Sequence, residues 1–375
     1  MRLLALAGDA TTLVPLIRLR QPLQALAQER GWTLDIRSFH DCPWNLLAQA
    51  NVLIVQRGIT QRAAAFQRLV RARGGTVVYE IDDLLTDLPS HISNHLAVRA
   101  AAPWLNMCLA ECDLVTVSTE RLGRELAVVN WALVPNSAWP PENLTALAAR
   151  PDEPVTLLLA SSEALATEFI VPALRSAAKA GARIVAVGPC AQMLAEAGLP
   201  VQAQPLIARE RFIHWVRQQP NVVAVIPLEA SRFASCKSAI KWFDYSHAGI
   251  PVLASAVSPY SDVVQDGVTG VLVSNSAQAW EAALHMACSD TAWHQSLAQA
   301  AMRDVRARFS FERMVAAWGA AIEEAVWRRG QVLVPAPMLT ERLHWWAWRL
   351  LESPRQAMRR LNRKRLEHRH AQRQG

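Results

Sequence analysis

The chain has 375 residues, 51% of them hydrophobic and 19% charged, which is enough apolar material for a sizeable core and excludes wholesale disorder. That length favours two or three domains, and no apolar run approaches the ~18 residues that span a bilayer. The formal net charge of +7 sits at one end: residues 341–375 carry ten Arg/Lys against three Glu, so residues 1–340 are neutral and a nucleic-acid-binding body is disfavoured.

The N-terminus, MRLLALAGDA, has an apolar stretch cut off by Asp9, too short for a secretory signal and suited to a first strand. Six cysteines (Cys42, Cys108, Cys112, Cys190, Cys236, Cys288) are scattered with no C-x-x-C pair. Cys108 and Cys112 lie one helical turn apart, but no neighbouring His/Cys pair completes a zinc-type set. Buried free thiols in a reducing, cytoplasmic setting are therefore expected.

In chain order, strands are predicted at Leu3–Ala7, Thr33–Ser38, Val52–Gln56, Thr76–Ile81, Leu114–Ser118 and Ala132–Val134. Gln61–Arg73 and Ala101–Cys112 carry apolar residues at helical spacing. Pro135, Pro140, Pro141, Pro151 and Pro154 then break the pattern. Strands resume at Val155–Ala160, Arg183–Val187, Val222–Ile226, Pro251–Ala254 and Gly270–Val273, and residues 277–327 are mostly helical. Continuous apolar strands joined by helices predict parallel sheets covered on both faces. The fold class is thus α/β, with two Rossmann-like domains facing a cleft. The expected boundaries are an N-terminal domain at 1–140, a linker at 141–154, a C-terminal domain with closing helices at 155–330, and a basic tail at 331–375.

Residues 237–273 read KSAIKWFDYSHAGIPVLASAVSPYSDVVQDGVTGVLV. A helix with an acidic residue leads to Gly249-Ile250-Pro251-Val252, and an Asp266-Gly267-x-x-Gly270 turn precedes another strand. This stretch resembles the second domain of the group-1 (family-4-like) glycosyltransferases, retaining enzymes of GT-B architecture. VLIVQRG at 52–58, VVYEIDDLL at 77–85, DLVTVST at 113–119 and ALVPNS at 132–137 look like strands of a polysaccharide-synthesising branch of that superfamily. The resemblance covers about residues 50–325.

It implies a nucleotide-sugar donor and no metal or other cofactor for holding it. A diphosphate calls for cations and first-turn amides, for which Lys237, Ser238 and Lys241 are the candidates, the lysines on one face of a helix starting near Ser238. Asp244 occupies the place where the family's Glu bonds the ribose hydroxyls. Ser258 and Tyr260 lie in the loop that approaches the donor, and Ser161 ends the first strand of the second domain, beside Ser162 and Glu163. Arg57, after a strand of the first domain, is a further anion ligand from the opposite wall. Asp82 and Asp83 stand near the family's reactive His position, as groups to orient an acceptor hydroxyl or stabilise an oxocarbenium-like transition state, or as helix N-caps. The same pair invites a metal-binding Asp-x-Asp reading, which the two-sheet pattern disfavours. His91 and His95 follow on the acceptor side.

Two departures stand out. Cys236 replaces the family's sugar-contacting Glu, and the Arg/Lys pair after the first strand of the second domain is missing. A catalytically degenerate GT-B module, binding nucleotide sugar or scaffolding glycan assembly, is therefore an alternative to a hexosyltransferase acting on a cell-surface glycan or lipid-linked acceptor; a GT-B-type epimerase is a third. In the tail, Leu339, Leu343, Trp346 and Leu350 form one helical stripe flanked by Trp345, Trp348 and arginines. That composition suits an interfacial helix on an anionic membrane, packing on the first domain, or a disordered basic end. The protein is thus expected in the cytoplasm, peripheral to the inner membrane face.

Overall fold

A computed structural model describes residues 1–92, 94–139, 144–145, 147, 150, 152–161, 168–289 and 292–330. Ser162, Glu163, half of the 141–154 linker and the basic tail lie outside the described residues.

The first sheet comprises β1 (Arg2–Ala7), β2 (Thr33–Ser38), β3 (Val52–Gln56), β4 (Thr76–Ile81), β5 (Leu114–Val117) and β6 (Trp131–Leu133). Its order is β2-β1-β3-β4-β5-β6, parallel throughout. The second comprises β7 (Thr156–Ala160), β8 (Arg183–Val187), β9 (Val201–Gln204), β10 (Val222–Ile226), β11 (Val252–Ser255) and β12 (Val271–Val273), in the order β12-β11-β10-β7-β8-β9. It is also parallel. The central strands β3, β4 and β10 are buried at every residue, which is why β3 and β10 run almost wholly apolar without alternation and why Glu80 in β4 needs internal partners. In each sheet the strand order reverses once, at β1/β3 and at β7/β10. Open parallel sheets bind ligands beyond the strand ends at such reversals.

Local chemistry fixes the helices. Thr60 caps Gln61–Ala72 by accepting the Ala63 N–H at 3.2 Å, and Thr119 caps Glu120–Glu125 by accepting that of Leu122 at 3.2 Å. The helix Ile240–His247 stops at Gly249, whose φ of +72° lets the Ile250 N–H reach back to the Tyr245 carbonyl at 3.0 Å. The Gly-x-Pro-Val motif is therefore a helix stop followed by β11. The Asp266–Gly270 turn is architectural too. Gly267 has φ +69°, Asp266 accepts the Leu272 N–H at 2.8 Å, and a Cβ on Gly270 would meet Val264 at 2.8 Å.

The last helix, Phe311–Gly330, returns to the first sheet. Its Met314, Trp318, Ile322 and Ala325 are buried against Leu3, Leu23, Ile54 and Val78. The chain thus crosses between lobes twice, at 134–139 and at 309–311, and the crossings touch where the Ala138 N–H donates to the Phe309 carbonyl at 3.0 Å. All six cysteines are free, and burial pushes the thiols of Cys42, Cys108 and Cys112 up to about 12, so they stay protonated at neutral pH.

Candidate active site between the lobes

β4 carries Glu80 inward and ends at Asp82 and Asp83. Glu80 is fully buried, and Arg18 forks onto it at 2.7 and 3.1 Å, while Thr116 donates to it at 2.6 Å. Arg18 also donates to the Val134 carbonyl and to Asn136, so this network ties the helical segment Leu16–Arg20, β4, β5 and the first interlobe crossing together. Burial raises the Glu80 pKa, against the pull of Arg18.

Asp82 and Asp83 are both held by Arg57. The Arg57 Nε donates to Asp82, and its Nη2 reaches Asp83 at 2.5 Å. Arg57 itself has φ +47°, an uncommon left-handed conformation for a non-glycine residue, just past the end of β3. Its N–H bonds the Glu80 carbonyl at 2.9 Å, which aims the guanidinium along the end of β4. Asp83 has a raised pKa, first through burial and then through Asp82, with Arg57 and Lys237 pulling the other way. The Lys237 ammonium of the second lobe thus acts electrostatically on a carboxylate of the first.

On the second lobe a cavity of about 210 Å³ opens at the β7/β10 reversal. Its walls include Ser161 after β7, Pro227 after β10, and Lys237, Ser238, Lys241 and Tyr260, with Pro89 and His91 facing from the first lobe. Six of the residues singled out in the sequence thus converge: His91, Ser161, Lys237, Ser238, Lys241 and Tyr260. The helix begins at Ile240 rather than Ser238, because Lys237 N–H closes the preceding short helix Arg232–Ser235 on the Ala234 carbonyl at 3.1 Å. Lys237 therefore reaches in from a loop and Lys241 from the first helical turn. Tyr260 is buried, and burial raises its pKa, so its hydroxyl stays neutral. Ser258 lies behind this wall, donating to Asp262 and to the Ser235 carbonyl at 3.2 Å. His95 bonds the Ile92 carbonyl through Nδ1 at 3.0 Å and does not line this cavity.

Asp244 is one turn further along the helix that carries Lys241 and does not line this cavity. Arg209 donates to it at 3.0 and 2.7 Å, and the Trp139 N–H at 2.8 Å. Burial raises its pKa while Arg209 opposes the shift. Oδ1 accepts two of these bonds and Oδ2 one, which leaves Oδ2 the freer acceptor.

Sequence reasoning passed over Arg209, Gly188 and Phe233. A Cβ on Gly188 (φ +86°) would stand 2.4 Å from the Ser161 carbonyl, so only glycine fits beside that strand end. Phe233 and Cys236 are buried in the first lobe's core, and Thr119 bonds the Cys236 carbonyl at 2.9 Å across the lobes. Residue 236 is thus spent on joining the lobes. Among the described residues, no group of three His, Cys, Asp or Glu side chains is placed to hold a metal ion.

Solved structures match this arrangement along most of its length. Sucrose-phosphate synthase from Thermosynechococcus elongatus aligns over 86% of this chain and 98% of its own, at TM-score 0.62 and 16% identity. HepE from Anabaena, in complex with UDP-glucose, aligns over 86% and 99% at TM-score 0.59 and 14% identity. This chain has the GT-B fold. A glycosyltransferase from Rickettsia africae ESF-5 aligns over 87% and 98%, at TM-score 0.58 and 11% identity. At these identities the likeness is one of fold, and function has to be argued from the GT-B cleft itself. No protein-family model matches the sequence, and no curated protein matches it either. Among the described residues no helix is long and apolar enough to cross a membrane.

Proposed function

We propose that this protein is a retaining glycosyltransferase that moves a hexose from a nucleotide-sugar donor to a cell-surface glycan or lipid-linked acceptor. The observation that carries this reading is the cavity at the β7/β10 reversal with Lys237 and Lys241 in its wall, Lys237 also acting electrostatically on Asp83 of the Arg57–Asp82–Asp83 cluster. Lys237, Lys241 and the amides from Ser238 onward bind the donor diphosphate, and Asp244 Oδ2 takes a ribose hydroxyl. In the reaction, the bond from the anomeric carbon to the diphosphate oxygen breaks and its electrons leave on the diphosphate, where the lysines stabilise them. The acceptor oxygen bonds the anomeric carbon, and its proton passes to the departing diphosphate. Asp82 and Asp83, held by Arg57, stabilise the positive charge that develops on the sugar ring.

HepE binds UDP-glucose, which makes uridine donors the first to try. Incubating the protein with radiolabelled UDP-hexoses and a bacterial lipid extract should move label into glycan or lipid and release UDP. A second reading, donor binding without transfer, rests on Cys236, because its side chain is sealed in a core where the family's Glu would meet the sugar. UDP binding with no transfer of label to any acceptor would favour that reading. The basic tail supports a membrane-surface contact for the same enzyme, which suits a lipid-linked acceptor.

A further inference from the structure

The second lobe has another cavity at the far end of its sheet. It measures about 180 Å³ and lies where β10 and β11 begin, whereas the donor cavity lies where β10 ends. Val222, the first residue of β10, lines the one, and Ile226, the last, lines the other. Four strand steps of ~3.3 Å put these two residues ~13 Å apart. Nothing in the proposed transfer uses this remote space.

Its charge is one-sided. Arg150, Arg217 and His294 line it and, among the described residues, no Asp or Glu does. Both arginines are fixed from behind. Asn221, at φ +41°, donates from Nδ2 to the Arg150 and Glu153 carbonyls, each at 2.7 Å, and accepts the Arg150 N–H at 2.9 Å. Arg217 donates from Nη1 to the Thr145 carbonyl at 2.9 Å and to that of Ala248, and among the described residues no carboxylate pairs with it. Burial lowers its pKa with no anion to oppose the shift. A desolvated guanidinium whose partners are all neutral stands to gain most from an anionic ligand. Arg150 does meet a carboxylate, Glu153 at 3.1 Å, but both side chains are exposed, so the pair is weak and yields to a stronger ligand. His294 and Gln295 belong to the first turn of the helix Ala292–Arg308, whose positive end adds to the field.

We propose that this cavity is an anion site, separate from the donor cavity, that takes the phosphate group of a small molecule. Two guanidinium forks match the oxygens of a phosphate in a way that point charges do not. Isothermal titration of inorganic phosphate and of β-glycerophosphate, a phosphomonoester, would be run at constant ionic strength on the full chain and on Lys237→Ala/Lys241→Ala, which strips the donor cavity of its cations. Binding should persist in that double variant. Arg150→Ala and Arg217→Gln, each added to it, should weaken binding at least tenfold. Arg150→Ala removes only an exposed side chain, so it decides the matter even if Arg217→Gln, which releases two carbonyls, fails to fold. Tighter binding of β-glycerophosphate would assign the site to a phosphomonoester, and binding no tighter than that of inorganic phosphate would assign it to the free ion. No binding of either probe to the double variant, or undiminished binding after Arg150→Ala, would overturn the proposal. UDP takes no part in the measurement, so the donor reading stands or falls separately.

Discussion

Arg209 grips Asp244 with two hydrogen bonds, at 3.0 and 2.7 Å, beside the point where the chain passes from one lobe to the other. The same guanidinium donates to the Ser137 carbonyl at 3.2 Å, and the Asp244 carboxylate takes the Trp139 N–H. The helix that supplies Lys241 is therefore fastened to the interlobe crossing, and under the proposed function a ribose seated on Asp244 would be coupled to lobe movement.

Arg209→Ala strands a buried carboxylate. It should destabilise the protein by about 3–5 kcal/mol near neutral pH, measured by urea unfolding. Arg209 holds the Asp244 pKa down against burial, so its loss raises that pKa further. A carboxyl with a raised folded pKa disfavours the fold once ionised, so the deficit should shrink as pH falls through the new pKa. A deficit independent of pH would assign the effect to packing.

Lys237 lowers the pKa of Asp83, and burial and Asp82 raise it. The acid limb of the kcat/KM profile is therefore expected above the ordinary Asp range near ~3.9. In Lys237→Ala that limb should move to higher pH, because the lowering influence is gone. A limb that stays still or moves down would disconnect the two lobes electrostatically.

Trp318, on the returning C-terminal helix, is fully buried against the first sheet. Trp318→Ala should cost roughly 3–5 kcal/mol, seen as a lowered midpoint of thermal unfolding. Retained stability would mean that the helix is dispensable to the first lobe.

Much of this was legible in the sequence, for physical reasons. β2, β3, β4, β8 and β10 have the bounds read from the sequence; in β3 and β10 a continuous apolar run marks a buried parallel strand, whereas β2 is a partly exposed edge strand with Asp35 and Arg37 and β4 carries the buried Glu80. β9 escaped notice because Val201–Gln204 is an edge strand with two exposed and two half-buried residues. The returning helix reads like any amphipathic helix, and nothing local in Phe311–Gly330 says which sheet it covers. The cavity residues Lys237, Ser238 and Lys241 were found because their chemistry is clustered in sequence. Arg209 lies 35 residues from its carboxylate, and the Arg57 bridges to Asp82 and Asp83 span 25 and 26, so neither pairing shows in local spacing.

The tail, residues 331–375, offers a separable test of the membrane proposal. A chain ending after Pro337 should remain folded yet no longer sediment with vesicles containing anionic lipid, while the full chain does. Equal sedimentation of both would remove the tail from membrane contact.

Isothermal titration of UDP, ADP and GDP into the protein and into Lys241→Ala tests the central claim most directly. The account predicts that one nucleotide binds and that the substitution weakens it by roughly 1.5–3 kcal/mol, the worth of a hydrogen bond to a charged group. Binding of equal strength in both proteins, or no binding of any of the three, would contradict a diphosphate held at the start of the Ile240–His247 helix.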